Sequence, residues 1–399
     1  MWHFYTPNII YGDDALDYLE KIKGNKCFIV TDKVIEDLGY LKILTDKLLK
    51  FSKNYTVFTD VIPAPHEDDV MKGKEQCNAY GPDLIIALGG GSVIDSAKAI
   101  WAMYEYPEYT MDDIQNFNDQ LFDFANKAKM IAIPTTSGTG AEATWAVVIS
   151  RFQDGVWRKA ATNHPSVVPT YAIVDPIFPK GMPPKLTVNS AFDALAHAME
   201  GCLSSWKNEF SNALGIKAIE LIFKYLPIAY KDGNNMEARD YLHQAASMAG
   251  LAFGNSQSHI GHAMGHSLSA IFHTHHGQSV GLFLSYITQY CLNAPGETNE
   301  SIMVNSDLAK KLGWAKWDED NKKAAYKVVK KIGELQREVE FISNLKDLGI
   351  SKEDFEKNLG KLIGLCFQDI CGTMAPRTPS KKEYIKLYNY AYEGKDVDF

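Results

Sequence analysis

Leu84-Ile85-Ile86-Ala87-Leu88 runs straight into Gly89-Gly90-Gly91-Ser92, and Val93-Ile-Asp-Ser-Ala-Lys-Ala-Ile100 follows with helical spacing. A short, unbroken apolar run bounded by glycine reads as a strand covered on both faces, as in a parallel sheet flanked by helices. The glycines let the backbone come close to a ligand, while the unbonded amides opening the next helix point at an anion. A pyrophosphate suits that place. A bare strand-to-helix turn is the alternative, at a greater cost in backbone entropy than a turn needs.

Working outward, Cys27-Phe-Ile-Val-Thr31 and Tyr55-Thr-Val-Phe58 read as further strands, as do Met130-Ile-Ala-Ile133, residues 145–150 and Tyr171-Ala-Ile-Val174. Helical periodicity over 34–51 and 67–80 alternates with them, which predicts a parallel α/β layer. Acidic Glu67, Asp68 and Asp69 favour the start of the second helix, at the positive end of its dipole. A second small-residue loop, Pro134-Thr-Thr-Ser-Gly-Thr-Gly-Ala-Glu142, also follows a strand. The hydroxyls of Thr135, Thr136 and Thr139 can bond phosphate or ribose, or cap a helix. Asp32 ends the first strand, ahead of the glycines rather than after them as in the usual dinucleotide fingerprint. It serves either as a ribose acceptor that repels a 2′-phosphate, favouring NAD over NADP, or as a helix N-cap.

After Met182-Pro183-Pro184 the texture changes. Residues 187–229, 236–253, 258–271 and most of 320–390 have helical spacing, so an all-helical second domain is expected. The division is 1–183, α/β and dinucleotide-binding, and 184–399, helical and carrying the metal and substrate groups. A site in the cleft between them is the default expectation.

The 399 residues carry a net charge of −8, with 46% apolar and 23% charged residues, a globular composition without the basic face that nucleic acid or an anionic membrane requires. No apolar run is long enough to span a bilayer, and the N-terminus lacks a basic segment followed by an apolar one, so a cytoplasmic protein is expected. The six cysteines include no Cys-x-x-Cys and lie in apolar surroundings, which predicts reduced, mostly buried thiols.

Six of the eleven histidines fall between His259 and His276, at 259, 262, 266, 273, 275 and 276. Earlier stands Asp193-Ala-Leu-Ala-His197, a carboxylate and an imidazole four apart and on one face of a helix. His262 and His266 repeat the spacing. Their small, apolar neighbours imply enclosure, where polar groups need partners. On one continuous helix His262 and His276 would stand about 21 Å apart, too far to share an ion, so the chain must bend within Phe272–Gly277. Imidazoles with one carboxylate suit Fe(II), Zn(II), Mn(II) or Ni(II) rather than calcium. Composition leaves open which three histidines join Asp193.

Together these motifs resemble the iron-dependent (group III) alcohol dehydrogenase family over nearly the whole chain. The resemblance rests on Gly89–Ser92 with Asp95 and Lys98, on 134–142, on Asp193-Ala-Leu-Ala-His197-Ala-Met-Glu200, on His262-Ala-Met-Gly-His266-Ser-Leu closing at His276-Gly277, and on Asp369-Ile-Cys371 with Pro376-Arg377. It implies a Rossmann-like parallel sheet joined to an all-α domain, the dehydroquinate synthase-like fold. It also implies Asp193, His197, His262 and His276 as metal ligands, with His266 set beside the nicotinamide. Iron, or zinc in its place, would polarise the oxygen of a small alcohol or aldehyde while hydride passes to or from NAD, in a homo-oligomer of two or more copies. Asp32, Gly89, Gly90, Gly91, Ser92, Asp95, Lys98, Thr135, Thr136 and Thr139 would hold the cofactor. His266 and His273 would relay the alkoxide proton or serve as packed structural histidines, and Trp145, Ala146, Phe253 and Cys371 would line the substrate pocket. A zinc polyol dehydrogenase or NAD-using lyase of the same superfamily is the nearest alternative. His259, and His275 where the family usually has proline, carry no assigned role.

Overall fold

The computed structural model describes residues 3–111, 113, 124–153, 156–295 and 299–399. It divides into two compact units, Met1–Met182 and Pro183–Phe399.

The first unit runs β1 (Asn8–Tyr11), β2 (Lys26–Val30), α1 (Lys33–Asp37), α2 (Tyr40–Lys50), β3 (Asn54–Phe58), α3 (Glu67–Tyr80), β4 (Leu84–Gly89), α4 (Gly91–Glu105), β5 (Lys129–Pro134), β6 (Ala146–Gln153), β7 (Val156–Asn163) and β8 (Tyr171–Val174). Six strands form one parallel sheet in the order β1-β8-β5-β4-β2-β3. Alternate residues serve opposite faces. Phe28, Val30, Ile85, Ala87, Met130 and Ala132 pack with Val70, Ile94, Ala97 and Trp101 of α3 and α4. Cys27, Ile29, Leu84, Ile86, Leu88 and Ile131 pack with Leu41, Leu44 and Leu48 of α2 on the other side. β4 sits inside the sheet and is buried throughout, which is why it reads as an unbroken apolar run.

Two expectations need correction here. The helix expected over 34–51 is two helices, because Gly39 adopts a left-handed conformation (φ 79°) that ends α1 and opens α2. The strand expected at 145–150 is β6, which pairs with β7 in a separate antiparallel hairpin. Long-range bonds hold it on α4: Asp95 accepts from the Val148 amide at 2.9 Å, and the buried Lys98 ammonium donates to the Thr144 and Ala146 carbonyls at 2.8 and 3.0 Å.

The second unit contains α5 (Pro184–Leu203), α6 (Glu209–Lys231), α7 (Met236–Gly254), α8 (Ile260–Phe272), α9 (His276–Leu292), α10 (Glu300–Lys311), α11 (Asn321–Glu338), α12 (Lys352–Gln368) and α13 (Lys381–Glu393). The helical spacing over 187–229 is realised as two helices, separated between Leu203 and Glu209. Asn208 caps α6 in a reciprocal box with Ser211, satisfying amides that a continuing helix would not leave free. One large core joins α5–α9 to the C-terminal helices. The cysteines are free, five buried and Cys371 partly exposed. Among the described residues no helix is long and apolar enough to cross a membrane.

Candidate metal centre

α5 is buried along nearly its whole length and presents Asp193 and His197 on one face. α8 carries His262, then stops at His273, a non-glycine residue in the left-handed region (φ 52°). α9 restarts at His276, so the bend that helix geometry demanded lies at 273–275. One donor atom from each of Asp193, His197, His262 and His276 lies within 4.8 Å of the others. Nε2 of His276 is 3.3 Å from Oδ1 of Asp193, and Nε2 of His197 and of His262 are each 4.0 Å from that oxygen.

Electrostatics makes these groups ready acceptors. Burial pushes the His197 and His262 imidazoles down to about 3, against the pull of Asp193, so both rings are neutral with a free lone pair. Burial also disfavours the Asp193 carboxylate, but the His276 ring, its Nε2 3.3 Å from Oδ1, outweighs it and holds the group well below the usual carboxylate range. Oδ1 of Asp193 and Nε2 of His262 are buried and accept no hydrogen bond. Two buried acceptors facing one another at 4.0 Å are costly, and a cation between them relieves that cost. Bonds of about 2.0–2.2 Å from nitrogen and oxygen suit these spacings, and the donor set fits a divalent transition metal.

The neighbours are ordered too. Nδ1 of His262 meets Oε2 of Glu200 at 2.9 Å. His197 stacks face to face on Phe253, ring centroids 3.9 Å apart. His266 lies outside the four-residue group, its ring stacked on His276 at 5.2 Å and its Nδ1 2.7 Å from Oδ2 of Asp369. Asp369 also accepts from the Cys371 amide at 2.9 Å, and Cys371 Sγ accepts from Ser258 at 3.3 Å. His273 is exposed at the end of α8, and His275 caps α9. Sequence reasoning assigns no role to Glu200 or Asp369. For Glu200 a signal exists, since it follows Asp193 and His197 at i+7 on the same helix face.

In the first unit, the two small-residue loops adjoin. Gly89 pairs with Pro134 in the β4–β5 register, and the Thr135 amide donates to the Gly89 carbonyl at 3.0 Å. A Cβ on Gly91 would lie 2.9 Å from the Thr139 methyl, so glycine is what lets the loops approach. Gly90 caps α4 without a side-chain hydrogen bond; the Val93 amide donates to the Gly90 carbonyl at 3.1 Å, and the Gly91 and Ser92 amides ahead of it open the helix where an anion is favoured. Ser92 lies in that first turn. Asp95 and Lys98, a turn or two on, are committed to the β6 edge. Burial raises Asp95 to about 6 and lowers Lys98 to about 8. Asp32 caps α1, accepting from the Ile35 amide at 2.9 Å. Trp145 and Ala146 stand at the start of β6, both partly exposed, Trp145 against Tyr5.

A parallel-sheet unit with paired glycine and threonine loops, and a helical unit with a carboxylate-imidazole cluster, are the parts of a metal-dependent oxidoreductase. Comparison with known proteins names the family. Residues 6–176 match "Iron-containing alcohol dehydrogenase" and residues 187–392 match "Fe-containing alcohol dehydrogenase family, C-terminal". The chain is 33% identical to the NADPH-dependent butanol dehydrogenase of Clostridium saccharobutylicum over the full length of both. It is 34% identical to an aldehyde-alcohol dehydrogenase of Streptococcus pneumoniae serotype 4, covering 98% of this chain but 46% of that protein. Its structure matches an iron-containing alcohol dehydrogenase from Thermococcus thioreducens with a TM-score of 0.87, at 28% identity, over 99% of this chain and all of the other. The chain belongs to the iron-containing alcohol dehydrogenase family, and it is an oxidoreductase.

Proposed function

We propose that this protein interconverts a small primary alcohol and its aldehyde, with NAD(H) as hydride carrier and Fe(II) held by Asp193, His197, His262 and His276. The observation that carries the reading is the buried, unpartnered pair Asp193 Oδ1 and His262 Nε2 within a cluster of four donors. When bound, the metal supplies Lewis acidity toward the substrate oxygen. Four protein ligands would nearly fill zinc's tetrahedron, whereas Fe(II) accepts further ligands, which favours iron.

The remaining roles fall to the chain itself. The amides of Gly89, Gly90, Gly91 and Ser92 receive the pyrophosphate, with the hydroxyls of Thr135, Thr136 and Thr139 beside them. Asp95 and Lys98 act on the cofactor indirectly, by tying the segment after the second loop to α4. Asp32 keeps a carboxylate where a 2′-phosphate would be repelled, which favours NAD although one relative is NADPH-dependent. His266 accepts the substrate's proton and passes it toward solvent, its Nδ1 held by Asp369. His273, exposed, is a later stop on that route. Phe253, Cys371, Trp145 and Ala146 shape the substrate site, and the bulk of Trp145 favours a short chain. A cytoplasmic homo-oligomer belongs to the same proposal.

The test is an anaerobic assay of NADH and NADPH oxidation against short aldehydes and ketones, with Fe(II), with Zn(II) and with no added metal. NADH turnover that depends on Fe(II) is expected. Absence of turnover under every condition would sink the reading.

A further inference from the structure

Glu200 is a carboxylate with 1% exposure that takes no part in the reaction proposed above. It stands one turn past His197 on α5, so Asp193, His197 and Glu200 follow one another at i, i+4 and i+7 along a single face. Its Oε2 accepts two hydrogen bonds from α8: the His259 amide at 2.6 Å, at the helix N-cap, and Nδ1 of His262 at 2.9 Å. A carboxylate accepts only, so Nδ1 carries the proton and Nε2 carries the lone pair. That Nε2 faces Asp193 Oδ1.

We infer that Glu200 is a positioning residue which sets the metal affinity of the centre by fixing the tautomer and direction of His262. The inference rests on the metal-site reading above. Accepting from Nδ1 makes Nε2 the ligating atom and raises its basicity, the usual work of a carboxylate behind a metal-bound imidazole. Accepting from the His259 amide as well ties the same oxygen to the backbone that carries the ring, so α5 and α8 present their ligands in one fixed relation. Negative charge at the start of α8 is also favoured by the helix dipole.

Gly261 completes the device. A Cβ there would lie 2.0 Å from Glu200 Oε1 and 3.2 Å from Cδ, so the carboxylate occupies the volume that a side chain at 261 would fill. Oε1 itself is buried and unpartnered, with Nδ1 of the equally buried His259 3.9 Å away. Crowding at 261 should therefore dislodge the carboxylate while leaving its chemistry intact, which gives a second way of breaking the same contact.

The experiment titrates chelator-stripped full-length protein with Zn(II) against a competing chelator, for the wild type, Glu200→Gln, Glu200→Ala, Gly261→Ala and His262→Ala, with thermal melting of each metal-free form. Absorption of the Co(II)-loaded proteins reports ligand geometry. Wild type should bind one equivalent. The dissociation constant should rise roughly 10-fold in Glu200→Gln, which keeps a neutral acceptor, and toward roughly 100-fold in Glu200→Ala and Gly261→Ala, with altered Co(II) bands. A purely structural Glu200 would lower metal-free melting temperatures and leave the Zn(II) affinity and Co(II) spectrum of the folded variants unchanged. Wild-type affinity and spectrum in both Glu200→Gln and Gly261→Ala overturn the inference alone. Failure of wild type to bind, or unchanged binding in His262→Ala, overturns the metal-site reading and the inference with it.

Discussion

Nε2 of His276, at the start of α9, lies 3.3 Å from Oδ1 of Asp193, in the middle of α5. The two helices come this close because the next residue is glycine. A Cβ on Gly277 would lie 2.3 Å from the Asn189 carbonyl oxygen and 3.0 Å from the Asp193 Cβ. Backbone cannot step aside as a flexible side chain can, so Gly277→Ala should destabilise the protein by about 2–3 kcal/mol and weaken metal binding with it. Gly360, exposed within α12, is the control, since a Cβ there would meet nothing within 4 Å. Gly360→Ala should stabilise by about 0.5–1 kcal/mol through helix propensity. Urea unfolding of both metal-free variants checks the opposite signs.

His262→Ala removes the imidazole that both faces Asp193 and engages Glu200. Activity and metal should disappear together, and the fall in metal affinity should exceed the roughly 10–100-fold expected from losing an outer partner alone. Metal analysis after anaerobic purification, run beside the aldehyde assay, decides the matter. Full turnover with stoichiometric metal would refute the ligand assignment.

What the sequence made legible follows from how locally each feature is encoded. β4 and its glycine loop are a contiguous signal, and Asp193 with His197 is a one-turn signal, so both can be read without knowing the fold. The bend at His273 follows from helix arithmetic. α9 escapes a sequence reading because it is buried almost all round, and an apolar helix without a polar face has no periodicity to read. The β6–β7 hairpin reads as part of the main sheet because its anchors, Asp95 to Val148 and Lys98 to Ala146, span about fifty residues. Glu200 shares the helix face of Asp193 and His197, but its partner His262 is 62 residues away, and Asp369 finds His266 103 residues away, distances at which spacing does not reveal the pairing.

Acid should weaken the C-terminal helix at a definable place. Glu383 closes the capping box of α13, accepting from the Ser380 amide and hydroxyl at 2.9 and 2.7 Å and from Arg377 at 2.8 Å. Partial burial would raise its carboxyl, but the Ser380 and Arg377 bonds outweigh that and bring it from an ordinary 4.5 down to about 2. A folded value below the unfolded one means that the stabilisation is complete above 4.5 and is lost as pH falls toward about 2. Glu383→Gln should therefore cost about 1 kcal/mol near neutrality, allowing for screening of a partly exposed group, and progressively less in acid. Paired unfolding curves from neutrality to about pH 3 test this, and a gap that widens in acid would contradict it.

Asp32 offers a test of cofactor choice that separates its two roles. The carboxylate caps α1 through the Ile35 amide, so a substitution chosen to probe the cofactor must not simply unravel the helix. Glycine is a tolerable N-cap, worse than aspartate by only a few tenths of a kcal/mol, whereas alanine costs about 1 kcal/mol. Asp32→Gly should leave folding almost unchanged while removing a negative charge that a 2′-phosphate would meet. At an effective dielectric between those of water and a protein surface, two such charges about 4 Å apart repel by roughly 1–4 kcal/mol. The ratio of kcat/KM for NADPH to that for NADH should then rise by roughly 10-fold or more, since about 1.4 kcal/mol corresponds to a factor of ten. Initial-rate measurements with both cofactors at fixed aldehyde and metal give the ratio directly. An unchanged ratio with an unchanged melting temperature would leave Asp32 as a helix cap and nothing more.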